Sequence, residues 1–164
     1  MERLLAIDGY NCMRRTGLFE KELDASLESA RCALLKLIKK FSNNNRAYAR
    51  IVVVFDGKSD CPQQLRESRD GRVAIVFSRA GESADEVIRA LLARQQGRYR
   101  LAVVSDDNYV TNHARVYGAD VIVCADFLRR IQRNAKSPET PCEKNLSARE
   151  ESEITEALRK AWGI

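Results

Sequence analysis

Five aspartates stand where apolar runs stop or helices start: Asp8, Asp56, Asp85, Asp106 and Asp107. Asp8 closes the run Leu4-Leu5-Ala6-Ile7, and Asp56 closes Ile51 to Phe55. Asp106 and Asp107 follow Leu101 to Val104 after a single serine. Asp85 lies within Ser83-Ala84-Asp85-Glu86, an S-x-x-E capping box, and so in the first turn of a helix. In a parallel sheet all strand C-termini share one edge, and the helices that follow begin there. Carboxylates gathered at such an edge repel, and each rises in pKa. A hard divalent cation removes that conflict. Magnesium takes oxygen ligands, keeps waters and usually needs only one or two carboxylates. An ion held this way can position water and stabilise the charge of phosphodiester cleavage.

Each of these residues has a plainer use. Asp-Gly after a strand, as at Asp56-Gly57, is ordinary turn chemistry. Asp85 is favoured near a helix N-terminus by the macrodipole. One of Asp106 and Asp107 caps the following helix while the other points into the site. Asp8 is hardest to explain away, because it ends the most buried-looking strand. Asn11 is either a turn residue or a group that orients a phosphate or water. Tyr10 and Tyr109 either pack or stack on bases. His113 falls within a predicted helix and reads as a surface or core residue. Arg129, Arg130, Arg133 and Lys136 read as a solvated helix face.

The elements that must position these groups follow from periodicity. Leu4–Ile7, Ile51–Phe55, Val73–Phe77, Leu101–Val104 and Val121–Cys124 are predicted strands; the first two carry no polar alternation, as strands buried on both faces do not. Leu27, Arg31, Leu34, Ile38 and Phe41 predict a helix over 24–41, ended by Ser42-Asn43-Asn44-Asn45. Arg14, Arg15 and Lys21 are expected in a loop, and the polar stretch 58–72 reads as a loop, with or without a short helix. Further helices are predicted over 83–96, stopped by Gly97, and over 108–117, stopped by Gly118. Asp126 is read as the cap of a last helix ending at Asn134. Strands alternating with helices imply an α/β fold, a three-layer sandwich around a five-stranded parallel sheet. Residues 1–136 form that domain. Residues 137–164 read as a linker with Pro138 and Pro141, then a C-terminal amphipathic helix with Ser147 and Glu150 as its capping box. Ile154, Leu158 and Trp162 repeat along it, suited to docking on the domain or on a partner.

Composition narrows the function. The apolar share is 45% and the charged share 31%, as in a soluble globular domain, and no apolar run approaches a membrane span. Met1-Glu2-Arg3 leads straight into a strand, so no signal-peptide pattern is read and the cytoplasm is the expected compartment. Five scattered cysteines and one histidine give no clustered zinc ligands and read as free thiols. The net charge of +5 favours a polyanionic partner modestly. No glycine-rich nucleotide loop or Walker lysine motif is present, and one histidine leaves no hydrolase triad beyond itself.

Taken in order, Ile7-Asp8-Gly9-Tyr10-Asn11, Val54-Phe55-Asp56-Gly57, Ser83-Ala84-Asp85-Glu86-Val87-Ile88 and Val104-Ser105-Asp106, then Gly118-Ala119 and Asp126-Phe127, resemble the NYN domain. More narrowly they resemble the YacP-like proteins of the PIN-like nuclease superfamily. The resemblance covers Leu4 to about Ile131. It implies a sheet of order 3-2-1-4-5 and RNA hydrolysis with Mg2+ or Mn2+. By motif it carries the catalytic, metal-holding role to Asp8, Asp85 and Asp106, with Asn11, Asp56 and Asp107 in support. It also points to messenger RNA on the ribosome as a context, since such relatives include an endoribonuclease that cuts there. Val104 stands where relatives often carry threonine, and the second aspartate leaves open whether Asp106 or Asp107 is the ligand. Arg14, Arg15, Lys58 and Arg79 are candidates for holding the RNA backbone. The expected function is thus a metal-dependent endoribonuclease. Its rival is a non-catalytic RNA- or ribosome-binding module on the same fold. A phosphoryl-receiver reading of Asp56 is weaker, because Gly9-Tyr10 does not supply the acidic neighbours receivers carry after the first strand.

Overall fold

The computed structural model describes residues 1–57, 71–134, 159–160 and 163. In chain order the elements are β1 (Arg3–Asp8), α1 (Gly9–Arg15), α2 (Glu20–Ala25), α3 (Leu27–Asn44), β2 (Arg50–Phe55), β3 (Val73–Phe77), α4 (Ala84–Gln95), β4 (Arg100–Val104), α5 (Asn108–Val116), β5 (Asp120–Ile122) and α6 (Cys124–Asn134). The sheet runs β3-β2-β1-β4-β5 with every pairing parallel. This is the five-stranded PIN-like order expected from the resemblance.

The unalternating apolar runs have a direct cause, since the sheet is covered on both faces. Leu5, Ile7, Ile51, Val53, Phe55 and Val104 pack beneath α1, α3 and α6, among them Met13, Leu34, Ile38 and Phe127. Leu4, Ala6, Val52, Val54 and Val103 pack beneath α4 and α5, against Val87, Leu91 and Val110. Residues of alternate parity point to opposite faces and both sets meet apolar partners. The register is consistent with this, because Leu5 lies beside Ile51 and Ala102, and Ile7 beside Val53 and Val104.

Several boundaries differ from the sequence reading. The helix expected over 24–41 is two helices, because Ser26 is extended and caps α3, its hydroxyl accepting the Ser29 N–H at 3.0 Å. Arg14 and Arg15, expected in a loop, form the last turn of α1, where basic side chains oppose the helix dipole favourably. Asp126 does not cap α6; the helix already starts at Cys124, and Asp126 sits in its first turn, paired with Arg129 at 2.9 Å. The fifth strand is correspondingly earlier, Asp120–Ile122. The capping box of α4 is present in full, with Ser83 and Glu86 exchanging hydrogen bonds.

Residues 58–70, with Lys58 and Cys61, lie outside the described residues, as do Lys136, Cys142, the expected linker and most of the expected tail helix. Arg159 and Lys160 are described and helical. Arg159 is 2% exposed. Its Nη2 donates to the Phe77 carbonyl at 2.6 Å and to Glu82 Oε2 at 2.7 Å. Arg159 is therefore clasped to the end of β3. Cys12, Cys32 and Cys124 are free thiols. Among the described residues no helix is long and apolar enough to cross a membrane.

Gly9 explains how α1 can start directly on Asp8. A Cβ there would lie inside the Phe55 ring. That ring is fully buried between Tyr10 and Phe77, with centroids 5.3 and 5.6 Å away. Gly9→Ala is therefore expected to destabilise the fold by about 1–3 kcal/mol, the cost of overpacking a filled core. A urea midpoint equal to that of the unaltered protein would show that the ring yields freely.

Candidate active site

The sheet reverses its strand order at β1, with β2 on one side and β4 on the other. Ligand sites in open parallel sheets form at such a switch point, outside the strand C-termini. Asp8 is the last residue of β1 and is only 6% exposed. Ser105, just past β4, donates its hydroxyl to Asp8 Oδ2 at 3.1 Å. The same hydroxyl accepts the Asp107 N–H at 3.1 Å. One serine thus ties the end of β1 to the turn after β4.

The carboxylates at this edge act on one another through their charge. The Asp8 carboxyl is pushed up to about 6, by burial first and then by the charges of Asp85 and Asp107. The Ser105 hydroxyl and the Asn11 N–H oppose that rise without cancelling it. Asp85, second residue of α4, is also raised, by burial and then by Asp107, Asp56 and Glu86. Asp56 is held by the Ser78 hydroxyl at 3.1 Å, which also accepts the Gly57 N–H at 2.9 Å. A Cβ at Gly57 would strike the Ser78 carbonyl, so this turn admits only glycine. Asp8, Asp56, Asp85 and Asp107 therefore form one field of mutual repulsion drawn from four separate segments.

The two neighbouring aspartates have divided roles. Asp107 caps α5, its Oδ1 accepting the N–H groups of Tyr109 and Val110 at 2.9 and 3.2 Å. Asp106 is braced from two sides. Its N–H donates to Asn11 Oδ1 at 2.8 Å, and its Oδ1 accepts the Cys124 N–H at 3.0 Å. Asn11 is thus a strut between α1 and the turn after β4, and its oxygen also receives the Cys124 thiol at 3.3 Å. Beneath it the Cys12 and Cys124 sulfurs lie 3.2 Å apart in a fully buried position. The Cys12 thiol is held well above its ordinary pKa, by its bond to Cys124, by burial and by nearby carboxylates. It stays protonated and serves packing, not nucleophilic chemistry.

The remaining expected residues are dispersed. Arg14 stacks over the Tyr10 ring at 5.7 Å, and Arg15 is exposed at the end of α1. Tyr10 packs on Phe55 and accepts a hydrogen bond from Arg31 at 2.8 Å, so it is committed to the interior. Arg79 lies in the connection leading to α4, its N–H donating to Glu82 Oε2 at 3.0 Å. Arg130 and Arg133 are solvated on α6. Sequence reasoning missed Glu82 and Arg159. Glu82 sits three residues before Asp85 and receives both the Arg79 N–H and the Arg159 guanidinium. Burial would raise its pKa, but those two donors hold it below the usual carboxylate value. Together they fasten the connection from which Asp85 projects.

The donor set at the edge is all oxygen, and the lone imidazole is packed against Tyr109. Such a set fits a hard cation. Among the described residues no three carboxylate, thiol or imidazole groups form a ready-made cage. An ion that keeps most of its water and touches one or two carboxylates needs no such cage.

The family model described as the YacP-like NYN domain matches residues 5–162. The match extends past the motifs read from the sequence and includes Arg159. The crystal structure of Rae1 (YacP) from Bacillus subtilis is 23% identical, covering 98% of this chain and 82% of that one, with a TM-score of 0.59. A point mutant of that protein is 25% identical over 82% of this chain and 77% of its own, with a TM-score of 0.61. A search of curated proteins returns no match.

The raised Asp8 carboxyl has a consequence for stability. Its folded pKa of about 6 lies above the ordinary 3.8, so the folded state binds this proton more tightly than the unfolded chain. The associated stabilisation is full below pH 3.8 and is lost as pH rises through 6. Asp8→Asn is expected to raise stability at pH 8 by up to about 3 kcal/mol, with the gain vanishing near the lower pKa. Urea midpoints of both proteins across that range check this; equal midpoints at pH 8 would contradict it.

Proposed function

This chain belongs to the YacP-like NYN domain family, a nuclease-type domain of PIN-like fold, and from that premise we propose that it is a divalent-metal-dependent endoribonuclease. The observation that carries the reading is the carboxylate cluster at the switch point, where Asp8 and Asp85 are each raised by burial first and then by charges from other segments. A structural role would not collect like charges there.

In this proposal Asp8, Asp85 and Asp106 hold Mg2+ or Mn2+, directly or through water. Asp106 takes the third place because Asn11 and Cys124 fix the turn that carries it, whereas Asp107 Oδ1 is taken up by the two N–H groups at the start of α5. Asp107 supports by charge, as does Asp56. When bound, the ion supplies Lewis acidity at the phosphate and lowers the pKa of water. The protein's own part is positioning. Ser105 keeps the Asp8 carboxylate aligned with the turn after β4. The Arg159–Glu82 clasp and the α4 capping box keep Asp85 at the edge. Arg14, Arg15, Lys58 and Arg79 are the proposed contacts to the RNA backbone. The cytoplasm, and messenger RNA on the ribosome, complete the proposal; the second rests on the family resemblance.

A second reading is a binding module without catalysis on the same fold. Incubation of single-stranded and structured RNA with the protein in Mg2+, in Mn2+ and in EDTA separates the two. The expected outcome is cleavage that stops in EDTA and falls at least about a hundredfold in Asp8→Asn, with RNA affinity kept. Asp106→Asn is expected to match that loss, and Asp107→Asn to fall short of it. RNA binding that survives EDTA, with no cleavage in any metal or on translating ribosomes, would establish the binding module instead.

A further inference from the structure

We propose that Tyr109, backed by His113, is a stacking platform for an unpaired RNA base beside the scissile bond. This deepens the nuclease reading and rests on it. Tyr109 is 45% exposed and is the only aromatic side chain among the exposed large apolar residues described. Tyr10 and Tyr48 show the contrast. The first is packed on Phe55, and the second is buried against Phe41.

Its place in the fold gives the ring an occupant. Tyr109 lies in the first turn of α5, at the edge where the carboxylates gather. Its N–H is bonded to Asp107 Oδ1, and the Asp107 charge reaches both Asp8 and Asp85. Helical side chains tilt toward the N-terminus, so this ring leans toward the carboxylate edge. A phosphodiester drawn to that edge carries bases on either side of it.

The ring is also held in place. His113, one turn along, packs against it with centroids 4.3 Å apart and the rings tilted by 42°. The imidazole is itself anchored, with Nδ1 at 2.9 Å from the Tyr109 carbonyl. An aromatic ring held on one side by His113 and still 45% exposed suits a flat, apolar-faced partner. A nucleobase has that shape, and every base offers it, so the contact selects an unstacked base without selecting its identity. The platform therefore implies a preference for single-stranded over duplex RNA.

The test uses the full chain carrying Asp8→Asn, which keeps RNA intact during binding. A short single-stranded RNA with 2-aminopurine at successive positions is titrated against that protein with Tyr109, with Tyr109→Ala and with Tyr109→Phe. The expected result is about tenfold or greater weakening by alanine, near-full retention by phenylalanine, and 2-aminopurine quenching that disappears only with alanine. Duplex RNA affinity should be equal in all three, and thermal melts should agree because the side chain is exposed. Unchanged affinity and quenching in Tyr109→Ala overturn the platform. Cleavage by the unaltered protein, measured in parallel, keeps the two readings apart. If it cuts RNA while Tyr109→Ala binds normally, only the platform falls. If it cuts nothing while Tyr109→Ala loses binding, the platform stands and catalysis falls.

Discussion

Like charges brought together at the end of a buried strand repel, and much of this fold serves to hold them there. Asp8 would move its carboxylate into water if β1 were free to shift. It cannot, because β1 is the central strand, paired on both sides and covered on both faces. Asp85 is fixed by a capping box that sets where α4 begins. The repulsion is therefore stored in the structure and not relaxed. A cation or a proton relieves it, and at neutral pH a cation is the better remedy.

Small polar groups then set the geometry at close range. The Ser105 hydroxyl serves two masters, donating to Asp8 and accepting from the backbone of Asp107. Asn11 works the same way, gathering the Asp106 N–H and the Cys124 thiol on one oxygen. Each such group joins the β1 side of the edge to the β4 side. The Arg159 clasp adds a third brace from the far end of the chain. Its guanidinium is fully enclosed and is paired with a partly exposed carboxylate and a backbone carbonyl, so its charge is not left unmet.

The carboxylate edge was legible in sequence because its signals are local. Apolar runs that end in aspartate mark strand ends, and Ser83 with Glu86 marks the start of α4. Strand order was not legible from periodicity, since every buried parallel strand reads alike; it came from the family motifs. The break between α2 and α3 was missed because α2 buries no residue and so lacks an apolar stripe to announce it. Arg159 carried no signal, because its partners Phe77 and Glu82 lie 82 and 77 residues away. The same holds for the division of labour between Asp106 and Asp107. Only the position of Cys124, 18 residues past Asp106, decides which carboxyl is braced.

The contact between Ser105 and Asp8 spans 97 residues. During synthesis the central strand emerges first and must wait for β4 before its second edge is paired. Loop closure over such a distance is entropically costly and slow to form. A nascent chain that has made only β1, β2 and β3 has its first aspartate but no opposite wall. The acidic edge therefore comes into being in one late step, when β4 docks and carries Ser105, Asp106 and Asp107 into place together. A chain that stops short of β4 therefore has no acidic edge, and the charge repulsion is met only once the central strand is paired on both sides.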